Sequence, residues 1–220
     1  MPTLAAAMIA ALFGASAGAG GVAYARRLAL AAGKPAPAGV ISVIATAAFG
    51  AALSAGVVIA RHAMVDRVLG VALVAVLVIA SATDLATRRI PNRLTGPAAL
   101  GAIVLGAVLH PAGVGAQLIA GVAAGGFLLV FALARRTGLG MGDVKLAAVL
   151  GCYLGGAVTV ALFAGLLAAG VGGLGVIARL GVGRGRRTAI PLGPFLALGG
   201  IVAVLAGHPI VHWYVHTADH

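Results

Sequence analysis

The sequence predicts an all-α protein that crosses a membrane several times. Of its 220 residues, 62% are hydrophobic and only 9% are charged, whereas a soluble domain carries about 25% charged residues. The charges are confined to short segments between long uncharged runs. Such a chain has the bilayer as its outer solvent and satisfies its backbone groups inside helices. Residues 1–220 are expected to form one integral-membrane domain.

The uncharged runs mark the spans. A spanning helix needs about 20 residues, so the run 94–134 holds two helices, with a turn at "HPAG" (His110–Gly113). The run 146–178 is long for one helix and short for two, and Gly155 with Gly156 offers a break. The N-terminal run has no basic segment before it, so we expect a first helix and not a cleaved signal peptide. The runs are 1–25, 35–60, 68–83, 94–134, 146–178 and 188–218.

The basic residues decide between seven and eight spans. Of the 15 Lys and Arg residues, all but Arg61 and Arg67 lie in four of the five polar gaps. Short cytoplasmic loops carry an excess of Lys and Arg, and these four gaps share one side only if 146–178 crosses twice. About eight helices are therefore expected, with both termini outside and the basic loops cytoplasmic; seven helices are the alternative. The four gaps are 26–37, 84–93, 135–145 and 179–187.

The net charge of +11 does not predict a nucleic-acid partner, because the cations are spread over short loops beside apolar spans. Membrane lipid is the expected partner, since anionic headgroups attract juxtamembrane cations. No cofactor or metal is predicted, and the single cysteine, Cys152, excludes a Cys-based zinc site. Histidines at every fourth residue from His208 to His220 have a zinc-binding spacing on a helix, which leaves metal binding there open but disfavoured.

Two of the four acids carry the strongest chemical signal. Asp84 falls in the last turn of the helix that holds 68–83, and Asp143 falls at the start of the run 146–178. Both lie at the same depth on the predicted cytoplasmic side, and an ionisable residue at membrane depth indicates a functional site. The structural alternatives are a salt bridge from Asp84 to Arg88 and an N-cap role for Asp143, in a helix beginning one residue later.

Two carboxylates in contact cannot both be ionised, so the pair shares one proton. The ionised carboxylate then takes a proton from water while the protonated one polarises a peptide carbonyl, which is amide hydrolysis without a metal. A helix N-terminus favours the ionised form of Asp143, which suggests Asp143 as base and Asp84 as acid. Gly140 and Gly142 lack a Cβ and permit positive φ, so an open approach for a substrate backbone is expected beside Asp143.

Three sequence blocks then resemble a known family. They are "TDLATRRIPNRLT" (Thr83–Thr95), "GMGDVKLAAVLG" (Gly140–Gly151) and "AIPLGPFLALGG" (Ala189–Gly200). In this order they resemble the prepilin peptidases, or type IV leader peptidases, which are GxGD-type intramembrane aspartic proteases. The resemblance implies that Asp84 and Asp143 are the catalytic pair.

The resemblance also implies a reaction, a location and a substrate class. The enzyme would lie in the bacterial inner membrane and cut the short basic leader from a prepilin or pseudopilin, after a glycine, at the cytoplasmic face. The substrate would carry an apolar N-terminal helix that docks among the spans. Members that also methylate the new N-terminus carry a cysteine-containing insert after the first helix. The gap here, Arg26–Gly39, is short and has no cysteine, so no N-methyltransferase activity is expected.

Three further residues are expected to support the carboxylates. Pro91 biases Ile90 away from the α region and ends the helix of Asp84, and Asn92 can hydrogen-bond the local backbone. Lys145 either acts on the nearby Asp143 carboxylate or extends to the headgroups. A small proton-coupled transporter is the main alternative function, although its acids would be expected near the midplane.

Overall fold

The computed structural model of the protein describes residues 2–33, 40–61, 63–134, 139–185 and 191–218. Over these ranges the chain forms eight α-helices and no strand, which confirms the all-α prediction. Short 3₁₀ turns at Pro111–Gly113 and Gly155–Ala157 join the fourth helix to the fifth and the sixth to the seventh. The helices are α1 (Pro2–Ala31), α2 (Val40–Ala60), α3 (Met64–Thr87), α4 (Asn92–Leu109), α5 (Val114–Ala134), α6 (Met141–Leu154), α7 (Val158–Gly185) and α8 (Gly193–Ala218).

Six stretches of the described chain are long and apolar enough to cross a membrane, and the last, Met141–Arg184, covers 44 residues. A straight helix of that length would measure about 66 Å, twice the hydrocarbon thickness of a bilayer. The chain instead breaks at Gly155, whose φ of 56° and ψ of −133° lie outside the helical region. The predicted break is confirmed. The number of crossings and the side that faces the cytoplasm stay predictions.

Helices α3, α6 and α8 form the centre of the bundle and contact one another. Helices α1 and α2 pack on α3, α4 and α5 pack on α6, and α7 packs on α8. The central helices supply most of the largest fully buried side chains, namely Leu73, Leu77, Leu146, Leu150 and Leu196. The core therefore lies where α3, α6 and α8 meet.

Glycines bring several helix pairs into close contact. A Cβ on Gly14 of α1 would collide with the carbonyl oxygen of Gly50 on α2, and a Cβ on Gly199 of α8 would collide with that of Ala161 on α7. In a membrane, where apolar surface gains nothing by leaving lipid, such close packing of small residues drives helix association.

The basic segment after the first run is more helical than predicted. Helix α1 continues through Arg26 and Arg27 to Ala31, where a loop was expected from residue 26 onward. Arg, Leu and Ala are strong helix formers, so the helix continues past the point at which hydropathy falls. Hydropathy marks the membrane boundary and not the end of the helix.

One end of the bundle collects the segments that hold the two predicted catalytic residues. Helix α3 ends there and α8 begins there, because Asp84 contacts Gly193. Helix α6 begins there too, because Asp143 in its first turn lines one pocket with Asp84. Helix α7 runs antiparallel to α8, with Gly172 beside Phe195, so α7 leads toward this end as well. Its last residues follow a kink at Gly181, whose φ of 76° and ψ of 160° are not helical. We call this end of the bundle the carboxylate end. This arrangement is the one that an eight-helix topology requires.

Candidate active site

Asp84 lies in the last turn of α3 and is buried, with 5% of its surface exposed. The helix ends at Thr87, which leaves Asp84 in the last turn as predicted, and Arg88 closes it in a left-handed conformation (φ 55°, ψ 36°). The Gly193 N–H of α8 donates to Asp84 Oδ2 at 3.0 Å. Within the described residues, the hydrogen bond that this carboxylate accepts therefore comes from Gly193 and not from Arg88.

Asp143 lies in the first turn of α6 and is 8% exposed. Helix α6 begins at Met141 with Gly140 as its N-cap, so the structural alternative, in which Asp143 caps a helix starting at Val144, is wrong. Asp143 instead occupies the third helical position, and its Oδ2 accepts the Gly140 N–H at 3.1 Å. This is the reciprocal half of a capping box, with glycine, a tolerated N-cap residue, in place of a hydroxyl side chain.

The structure brings both carboxylates to one pocket at the carboxylate end. The cavity has a volume of about 260 Å³, enough for several water molecules at about 30 Å³ each. Of the seven predicted catalytic and supporting residues, six line this pocket and Pro91 does not. The lining residues are Asp84, Arg88, Arg89, Ile90, Asn92, Gly140, Met141, Gly142, Asp143 and Lys145.

Gly142 holds the first turn of α6 against the segment that follows α3. A Cβ on Gly142 would lie 3.0 Å from Ile90 Cβ and 3.2 Å from Ile90 N. Neither Gly140 nor Gly142 has a positive φ. At Gly142 the missing Cβ thus serves close packing of the pocket wall, in contrast to the open approach that the sequence suggested.

Lys145 and Asn92 form a contact that the sequence did not indicate. Lys145 Nζ donates to Asn92 Oδ1 at 2.6 Å, which joins α6 to α4 beside the pocket. Asn92 was expected to bond its local backbone, and Lys145 to act on a carboxylate or a headgroup. Pro91 lies just before Asn92 as the N-cap of α4, with φ −73° and ψ 143°.

Gly193 is the site residue that sequence reasoning missed. It lies inside the block Ala189–Gly200, which was noted for its family resemblance without a role for any single residue. A glycine directly before a proline at the start of a helix was the available signal, but nothing in the sequence indicated which side chain it would meet.

The described residues contain no group of three or more His, Cys, Asp or Glu side chains that could hold a metal ion. The histidines from His208 to His220 were the other candidate ligands. Their side chains lie outside the part of the chain that the structure describes.

Comparison with known proteins identifies the family of the chain. Residues 71–176 match the family model described as the type IV leader peptidase family, and that segment contains Asp84 and Asp143. The chain belongs to the type IV leader peptidase family. No solved structure matches the chain significantly.

Named relatives of the family cover part of the chain. A prepilin leader peptidase/N-methyltransferase of Aeromonas salmonicida (strain A449) is 32% identical over 150 residues, which are 64% of this chain and 50% of that protein. One of Bacillus subtilis (strain 168) is 33% identical over 150 residues, 67% of this chain and 59% of that protein. The chain thus spans about half the length of the curated relatives it matches.

Proposed function

We propose that the protein is an aspartic endopeptidase of the bacterial inner membrane that removes the leader from prepilin-like proteins at the carboxylate end of the bundle. One observation carries the proposal: two buried carboxylates from different helices, Asp84 and Asp143, line the same pocket. Burying a carboxylate costs free energy unless hydrogen bonds or a shared proton offset it. That two of the four acids of the chain are buried at one pocket therefore indicates a functional site. The names of its relatives supply the substrate class.

The chemistry uses the two carboxylates as acid and base. The ionised one removes a proton from a water molecule, whose oxygen bonds to the scissile carbonyl carbon, while the protonated one donates to the carbonyl oxygen. Collapse of the tetrahedral intermediate breaks the C–N bond, and the amine leaves with a proton from the pair. One water is consumed, and a new carboxyl and a new amine are formed.

The assignment of acid and base needs revision. The field of a helix N-terminus was the reason to name Asp143 as base. Asp84 also lies at a helix N-terminus, that of α8, through its bond with Gly193. Both carboxylates therefore share this influence, and the proposal treats them as a pair with one proton.

The proposed substrate is a prepilin or pseudopilin with a basic leader followed by an apolar helix. The apolar helix would lie in the bilayer beside the spans, which positions the scissile bond at the membrane boundary near the carboxylates. Residues 1–220 would act as one membrane domain in contact with lipid. We place the carboxylate end at the cytoplasmic face, where the basic loops are expected.

The test is cleavage of a co-expressed prepilin by the wild type, Asp84→Asn and Asp143→Asn, with Asp66→Asn as matched control. Asp66 is half-exposed and its Oδ2 lies 3.9 Å from Arg61 Nη1, away from the pocket. Each pocket variant should lose about 100-fold or more in rate, the usual contribution of acid–base catalysis, and the control should cut normally. Near-normal cutting by either pocket variant would refute the mechanism. Proton uptake without cleavage by the wild type would favour the transporter.

We further propose that the protein does not methylate the new N-terminus, although its relatives are named as N-methyltransferases as well. The gap after α1 is short and lacks cysteine. Incubation of the purified protein with cleaved substrate and a labelled methyl donor should transfer no label. Transfer above the level of a heat-inactivated sample would overturn this part of the proposal.

A further inference from the structure

We infer that Gly193 is a positioning residue for Asp84. Its backbone N–H fixes one oxygen of the carboxylate, and its missing side chain leaves the space that the carboxylate occupies. The part of this inference that concerns catalysis rests on the proposed function. The part that concerns the contact between the two residues does not.

Gly193 and the Asp84 side chain are in close contact. The Gly193 N–H lies 3.0 Å from Asp84 Oδ2 in a buried hydrogen bond. A Cβ on Gly193 would lie 2.7 Å from the same oxygen and 3.1 Å from both Cβ and Cγ of Asp84. The Asp84 side chain is short and buried, so it cannot yield by a small bend; it would have to leave its rotamer.

The start of α8 explains why this N–H is available. The first four N–H groups of a helix have no partner within it, and Gly193 is the first residue of α8. Pro194 has no N–H, and the N–H groups of Phe195 and Leu196 donate to the Leu192 carbonyl, each at 3.0 Å. The Gly193 N–H is thus the one in this turn that donates to the Asp84 carboxylate.

The two carboxylates are held in related ways. Each accepts, at Oδ2, one N–H from a glycine at the start of a helix: Gly140 for Asp143 and Gly193 for Asp84. Among the described contacts this leaves Oδ1 of each for water and substrate. The Asp143 bond is local, whereas the Asp84 bond joins residues 109 apart in the chain. Asp84 therefore depends on the docking of α8 for its orientation.

The first arm of the test is a double-mutant cycle in thermal stability, measured on the purified full-length protein. Gly193→Ala should lower the unfolding midpoint in the Asp84 background. The same substitution should have less effect beside Asp84→Ala, because that change removes the contacts of the new Cβ with Oδ2 and Cγ and leaves the one with Cβ at 3.1 Å. An equal drop in both backgrounds would refute the contact. This arm needs no activity, so it stands even if prepilin is not the substrate.

The second arm measures cleavage kinetics per folded protein. Misplacing the carboxylate should lower kcat of Gly193→Ala about 100-fold and change KM less than twofold, because Gly193 does not line the pocket. Gly175→Ala on α7 is the matched control, since nothing lies within 4 Å of its new Cβ, and it should cut normally. An unchanged kcat in Gly193→Ala, or a rise in KM alone, would overturn the positioning role. Failure of the wild type to cut would instead count against the proposed function.

Discussion

Lys145 on α6 donates from Nζ to the Asn92 side-chain oxygen on α4 at 2.6 Å. Both residues line the pocket of the two carboxylates, so this bond ties two of its walls together. Because the pair is exposed, water competes for both groups, and the bond contributes only about 1 kcal/mol to stability. Its main effect should be on the shape of the pocket.

We expect Lys145→Met and Asn92→Ala each to reduce prepilin cleavage several-fold with a small loss of thermal stability. Since both variants remove the same bond, the double variant should be little worse than either single one. Lys145→Arg should retain part of the activity, because it keeps a charged donor. Initial cleavage rates of the wild type and the four variants test this prediction. Additive losses in the double variant would contradict it.

Gly142→Ala should destabilise the protein and slow cleavage. The new Cβ would meet the Ile90 backbone nitrogen at 3.2 Å, and backbone yields less readily than a side-chain tip, so we expect an overpacking cost of about 1–3 kcal/mol. Gly96→Ala on α4 is the control, because nothing lies within 4 Å of its Cβ. Thermal unfolding of both variants tests this, and equal midpoints would show that the wall at Ile90 is not tightly packed.

Arg61→Met should lower stability without affecting the chemistry. Arg61 Nε donates to the Val204 carbonyl at 2.6 Å and Nη2 donates to the Ala203 carbonyl at 3.2 Å, which ties the end of α2 to α8. Loss of charged hydrogen bonds costs about 1.5–3 kcal/mol each. Since Arg61 does not line the carboxylate pocket, kcat of the folded fraction should equal that of the wild type. A fall in kcat of the fully folded variant would show that the contact of Arg61 with α8 is coupled to the carboxylate end.

Cysteine labelling should place the C-terminal end of α7 on the same side of the membrane as the segment that follows α3, as the eight-helix topology requires. In a Cys152→Ala background, Arg89→Cys and Gly183→Cys should both react with an impermeant maleimide only after the inner membrane is opened. Ala112→Cys, in the exposed turn between α4 and α5, should react in cells whose inner membrane is intact. Labelling of Gly183→Cys and Arg89→Cys from opposite sides would support seven spans.

The sequence predicted the helices well because the bilayer imposes a minimum length on every span. It also located the break at Gly155, since the basic residues required an extra crossing. Helix ends were predicted less well: α1 runs past its apolar segment to Ala31, and α6 begins at Met141. Helix propensity and capping, which decide these ends, leave weaker patterns than hydropathy.

At the site, the sequence predicted the two aspartates but not what holds them. The chain has only four acidic residues, so Asp84 and Asp143 could be found by inspecting the sequence. Their partners could not, because the bond from Gly193 to Asp84 spans 109 residues and that from Lys145 to Asn92 spans 53. Such contacts follow from the packing of α3, α4, α6 and α8, which no local pattern encodes.

The 14-residue length of α6 has a consequence for how far water reaches into the bundle. At 1.5 Å per residue the helix measures about 21 Å, against a hydrocarbon layer of about 30 Å. A crossing by α6 therefore falls about 9 Å short of the hydrocarbon layer. Because α6 lies at the centre of the bundle, this shortfall would open a recess in the protein that water can fill. Asp143 lies in the first turn of that helix. The short α6 would thus let water reach the carboxylates. This water would include the molecule that the proposed hydrolysis consumes.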